Sequence, residues 1–232
     1  MLLALDTSAG IAVSVVEMVD SVVGPTRAHR RSPDARHHAE LLAPMITEAL
    51  AEAGAHRTDL RAVVVGTGPA PFTGLRAGLV TARTLAFALG IPVHGVCSLD
   101  ALAAQAYAAG VATEEPVLAV TDARRREVYA ARYHAAGQTE GPDVARVTGP
   151  VVDTPAAVAA ALRDGAVVIG PGAELYPEDL PPAPGGPTVV DPAVLAQLAV
   201  TRAARGAELP TEPLYLRRPD VTPAAGRKRV TG

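Results

Sequence analysis

The stretch RAVVVGTGPAPFTGLRAGLVTARTLAFALG, residues 61–90, constrains the fold most. A β-branched apolar run enters a loop rich in glycine and proline, and the loop opens on a helical period that Gly90 closes. A strand this apolar needs cover on both faces, so a strand leading straight into a helix predicts a sheet with helices packed on it. The flanking sequence repeats the pattern. LLAL and IAVSVVE around DTSAG predict a hairpin. RHHAELLAPMITEALAEAG places Leu41, Leu42, Met45, Ile46, Ala49 and Leu50 at helical spacing, with Gly54 as the stop and Pro44 expected to kink or split the helix. IPVHGV predicts another strand, and Ser98 the N-cap of a third helix, LDALAAQAYAAG.

Beyond residue 110 the pattern restarts. PVLAVTDARRREVYAARYHAAG predicts two strands about a polar turn, and VLAVTDA set beside LLALDTS suggests two lobes on one plan. Thr154 with Pro155 opens a helix that Gly165 closes, and Asp191 with Pro192 opens another that Gly206 closes. A proline-rich loop lies between them. The expectation is an α/β chain with an N-terminal lobe over 1–110, a smaller C-terminal lobe over 111–216, and a tail over 217–232 without apolar period.

Composition narrows the function classes. Hydrophobic residues make up 49% and charged residues 19%, which suits a packed globule. With 3% aromatics and no Trp, Ala, Val and Leu must fill the core. A net charge of -3 gives no whole-chain attraction to nucleic acid or to an anionic membrane. The single Cys97 excludes an internal disulfide and a cysteine-based metal cluster. No apolar run reaches the roughly 20 residues that cross a bilayer. MLLALDTSAG lacks the basic start of a signal peptide, so a cytoplasmic protein is expected.

Each candidate for chemistry has a plainer structural reading. The loop GTGPAPFTG departs from both phosphate patterns: Leu75, not lysine, follows Gly74, and PAP follows Gly66 and Gly68. His37 and His38 are adjacent, and side chains about 100° apart on a helix do not grip one ion. No metal site is expected. G-x-S-x-G is absent, and Cys97 and Ser98 stand beside a predicted helix cap, so no catalytic residue is expected. Asp6 with Thr7 and Ser8 is a possible nucleotide contact, against an Asx-type turn in which Asp6 bonds its own backbone. Arg124–Arg126 and Arg227–Arg229 are basic runs without interleaved aromatics, a pattern more often solvated than bound to RNA. The helix after the loop is more telling. Phe72, Leu75, Leu79 and Ala82 form one stripe, and Val80, Thr84 and Phe87 another, with Arg76 and Arg83 between them. A helix apolar on two sides is either wrapped by its own protein or shared with a partner.

ALDTS, RHHAELLAPMI, the block from Gly66 through SLDALA, VTDARRREVYAARY and PLYLRRP together resemble the TsaB family, also called YeaZ, in order and over nearly the whole chain. Phe72–Arg76 is the most specific segment. Where the family loop runs closer to G-P-G-S-F-T-G, this chain has Ala70 and Pro71 before Phe72. The resemblance implies a two-lobed actin/Hsp70-like fold with a reduced second lobe. It also implies a non-catalytic scaffold of the machinery that places threonylcarbamoyl on N6 of adenosine in tRNA. The partners it implies are a TsaD-type catalytic subunit and a TsaE-type ATPase, with a homodimer when the partner is absent. On this resemblance tRNA is met only through the complex, no cofactor is intrinsic, and ATP or ADP belongs to the complex interface. The contact surface carried over is His38, Leu41, Leu42, Met45, Phe72, Leu75, Arg76, Leu79 and Arg83. A stand-alone actin-like ATPase, with Asp6 and Thr7 at the phosphates, is the alternative.

Overall fold

Successive strand residues face opposite sides of a sheet, and the five residues of Leu2–Asp6 are all buried, so both faces of this strand are covered. The computed structural model describes residues 1–20, 22–33, 37–136 and 143–217. Its first sheet contains β1 (Leu2–Asp6), β2 (Ile11–Val19), β3 (Val22–Ser32), β4 (Ala62–Gly66) and β5 (Val93–Val96), in the order β3-β2-β1-β4-β5. β1 is antiparallel to β2 and parallel to β4. The second sheet contains β6 (Val117–Arg124), β7 (Glu127–Ala136), β8 (Asp143–Asp153) and β9 (Val167–Ile169), in the order β8-β7-β6-β9. β6 is antiparallel to β7 and parallel to β9, the same plan as the first sheet without its fifth strand.

Helices α1 (His38–Glu52) and α2 (Phe72–Leu89) cover the outer face of the first sheet, where Leu3, Leu5, Val63 and Val65 meet Leu42, Leu75 and Leu79. Helices α4 (Pro155–Leu162) and α5 (Pro171–Leu175) cover the outer face of the second. The inner faces share one core with α3 (Ser98–Ala108) and α6 (Pro192–Ala204). The two inner helices are exchanged. α3, from the first half of the chain, packs on β6, β7 and β8, whereas α6 returns to lie across all five strands of the first sheet.

The hairpin and the helices follow the sequence, as do the caps at Thr154 and Asp191. Thr154 accepts a hydrogen bond from Ala157 N at 3.4 Å, and Asp191 from Ala193 N at 2.9 Å. Pro44 does not split α1: it faces solvent, where water satisfies the carbonyl that a proline leaves unpaired. β3 carries no alternating apolar pattern, because it is an edge strand whose only buried residue is Ala28. α5 is a short helical segment inside the proline-rich loop. Of the expected tail, only Arg217 falls among the described residues, and the basic run Arg227–Arg229 lies outside them.

Candidate functional site

Asp6 ends β1 and is 3% exposed. Ser8 N and Ser8 Oγ donate to its Oδ1 at 2.8 and 2.5 Å, which is the Asx-type bonding expected of the turn. A third donor comes from 92 residues away: Ser98 Oγ donates to Oδ2 at 2.6 Å. This corrects the reading of Ser98 as a cap. Cys97 holds the cap position, and Ser98 is the first helical residue, its hydroxyl spent on Asp6. Burial pushes the Asp6 carboxyl up, and the bonds from Ser8 and Ser98 offset only part of that rise. The Cys97 thiol is buried and pushed up to about 12 by that burial.

The glycines at the end of β4 and within α2 serve this packing. A Cβ on Gly66 would come within 1.9 Å of Asp6 Oδ2, and one on Gly78 within 2.3 Å of Thr7 Oγ1. Only hydrogen fits at either place, so the strand end and the helix close directly onto the first hairpin turn.

That turn faces its counterpart in the other lobe, the β6–β7 turn, across a cleft of about 360 Å³. Thr7, Ser8 and His38 line one wall and Thr121, Asp122 and Arg124 the other, with the start of α2 at the floor. His38 is 5% exposed and its Nε2 has no hydrogen-bond partner. Thr121 Oγ1 and Thr7 Oγ1 are likewise buried and unpartnered. Thr121 and Asp122 escaped notice as site residues, although the likeness of VLAVTDA to LLALDTS carried the signal, and Arg124 was weighed only as part of a basic run. Among the described residues, no group of three or more His, Cys, Asp or Glu side chains stands close enough to hold a metal ion.

The outer face of α2 is the second candidate. Its two-stripe pattern is realised: Leu75, Leu79, Ala82 and Ala86 are enclosed in the core, while Val80 is 62% and Phe87 90% exposed. The residues expected at a contact surface therefore divide. Leu42, Leu75 and Leu79 are sealed within the protomer, and His38 is buried beside them, because the stripe they occupy is the one the first sheet requires. Leu41 and Met45 are half-buried against the same core. Phe72, Arg76 and Arg83 are engaged by the segment 209–217 of their own chain. Tyr215 stacks on Phe72 with centroids 4.7 Å apart, and Arg76 Nε donates to Tyr215 Oη at 2.8 Å. Arg83 Nε donates to Thr211 Oγ1 at 2.8 Å and its Nη2 to Thr211 O at 2.6 Å. This strap is tied to β5 through Gly95 N and Leu209 O, to the end of β4 through Leu214 N and Thr67 O, and to the β6–β7 turn through Arg217 Nη1 and Ala123 O.

Two sheets of one strand order, helices on their outer faces and a cleft between their hairpin turns define the two-lobed actin-like architecture, with the second lobe short of a strand. Comparison with known proteins gives the family. The profile of TsaD, tRNA N6-adenosine threonylcarbamoyltransferase, matches residues 32–176. The solved structure of YeaZ from Pseudomonas aeruginosa superimposes with a TM-score of 0.72 at 30% identity, covering 92% of this chain and 99% of that one. The tRNA threonylcarbamoyladenosine biosynthesis protein TsaB of Escherichia coli is 40% identical over 98 residues, 42% of each chain. An uncharacterized protein of Mycobacterium tuberculosis is 45% identical over 225 residues, 96% of this chain and 94% of that one. The chain belongs to the TsaB (YeaZ) family.

Proposed function

We propose that this chain serves tRNA threonylcarbamoyladenosine biosynthesis as a non-catalytic subunit that binds and stabilises a TsaD-type catalytic partner. Its kinship with proteins named for that pathway supports the reading. The single observation that carries the docking role is α2: Val80, Thr84 and Phe87 form an exposed stripe on a helix whose opposite stripe is already closed into the core. Covering a phenylalanine as open as Phe87 is worth about 1.5–3 kcal/mol, an ample gain at the centre of an interface. The partner acts by population shift, favoured in its active arrangement by a neighbour that supplies no catalytic group. A TsaE-type ATPase and nucleotide join at the subunit junctions, tRNA is met through the assembly, and a second copy of the chain covers the stripe when the partner is absent.

The test is pull-down with a TsaD-type subunit. Val80→Asp with Phe87→Asp should abolish capture and leave the melting temperature unchanged, whereas Leu75→Asp should unfold the chain. Capture unaffected by the double change would move the interface elsewhere. The stand-alone ATPase has less support, since the Asp6 carboxylate is already occupied by three donors.

A further inference from the structure

Helix α6 roofs the inner face of the first sheet, and the roof does not close along its whole length. Leu195 is fully buried between helix and sheet, but one and two turns further on the same side of α6 presents Ala199 and Ala203. An open pocket of about 350 Å³ remains there. Leu2, Met18 and Val64 of the sheet form its floor, and Ala199, Val200 and Ala203 of α6 its roof. Protein interiors pack to the density of organic crystals, so an apolar space of this size beside a closed core is room for something else. The pocket is remote from both surfaces described above. Leu2 begins β1 where Asp6 ends it, and α2 covers the opposite face of the sheet.

Two polar side chains line the pocket, Arg61 and His94, and no carboxylate does. Arg61 is exposed just before β4, and its side chain has no ion-pair partner among the described residues. Burial pushes the His94 imidazole down from its ordinary value, which leaves the guanidinium as the one full charge lining the pocket near neutral pH. An occupant must therefore be apolar along its body, since a polar group set against leucine, valine and methionine would lose its water without replacement. It must be negative at one end to answer Arg61. No aromatic ring lines the pocket to stack a flat ligand, whereas the thioether of Met18 adapts to a flexible chain.

We infer that this pocket binds a medium-chain aliphatic monocarboxylate, its chain held between the first sheet and α6 and its carboxylate at Arg61. The inference is independent of the docking reading, which concerns the outer stripe of α2.

Isothermal titration and thermal melting of the full chain test it, with octanoate below its micelle concentration as the probe. Acetate supplies the charge without the chain, and 1-octanol the chain without the charge. Octanoate should bind at least about tenfold more tightly than either and should raise the melting temperature. Arg61→Gln, at an exposed position, should weaken octanoate at least about tenfold and leave 1-octanol unchanged. Ala203→Leu, which fills the pocket from its rim, should abolish binding of both while holding or raising the melting temperature of the unliganded chain. Failure of octanoate to bind, or octanoate binding that both variants leave intact, would overturn the assignment. Binding of 1-octanol as tight as that of octanoate would overturn it too, because the guanidinium would then select nothing.

Discussion

Asp6 and Asp100 are equally buried, at 3% and 4% exposure, yet their surroundings drive them in opposite directions. Asp6 sits at the end of β1 among neutral donors, two hydroxyls and one amide, and burial wins: its carboxyl is pushed up. Asp100 sits in the first turn of α3. Burial pushes it up as well, but Arg202 and Arg146 outweigh that, and the net direction is down. Tyr133 Oη, Arg146 Nη2 and Arg202 Nη1 reach Asp100 at 2.8, 2.6 and 2.7 Å, and Arg202 also holds Asp143 at 2.9 Å. The direction of the shift at equal depth is thus set by whether the partners are dipoles or cations. The two sites also hold different seams. Ser98 ties the start of α3 back to the first sheet, and Asp100, two residues on, ties it to the second sheet and to α6.

The comparison breaks most severely at the cationic site. Asp100→Ala leaves Arg202 and Arg146 without their shared acceptor, and the stability loss in urea unfolding should be about 3–5 kcal/mol. A loss below about 1 kcal/mol would mean that the arginines find water and the network locks nothing. A smaller effect is expected from Gly66→Ala. Its Cβ would overlap Asp6 Oδ2, so the carboxylate must shift and its donors are left short, for about 1–3 kcal/mol by the same measurement. Unchanged stability would show that the turn relaxes freely.

The smallest effect is one of sign. Asp100, lowered from an ordinary value of 3.8, contributes stability that is present above that value and lost as pH falls through its folded pKa. Asp6, raised from the same value, contributes stability that is full below it and lost as pH rises through its folded pKa. Urea midpoints between about pH 3 and 8 should therefore respond oppositely. Relative to the parent, Asp6→Asn should fall behind at acid pH and recover toward neutrality. Asp100→Asn should match the parent best in acid and fall behind as pH rises. Parallel curves for the two variants would erase the distinction.

Local signals carried much of this architecture. Gly90, Thr154, Asp191 and Gly206 punctuate helices where their chemistry requires, and the period of α2 announced two apolar stripes. Which stripe the sheet would claim was not legible, because Leu75 and Phe87 differ in neighbours 3.6-residue periodicity does not name. The bond from Ser98 to Asp6 was hidden for the same reason, since a hydroxyl before a helix reads as a cap until a carboxylate arrives from another strand. β3 escaped because an edge strand needs no apolar alternation. The burial of His38 was not legible either, since it comes from the close approach of its ring to Gly74 at the start of α2.

The exchange of α3 and α6 bears on how the chain is made. When residue 110 leaves the ribosome, every strand of the first sheet exists, but the helix that roofs its inner face, Pro192–Ala204, has not been synthesised. At roughly 5–20 residues per second, the nascent sheet waits several seconds or more with Leu2, Ala4, Val16 and Val64 bare on that side. Such a surface attracts chaperones, and a stop codon anywhere before α6 would release a protein whose first half is complete in strands yet unable to close.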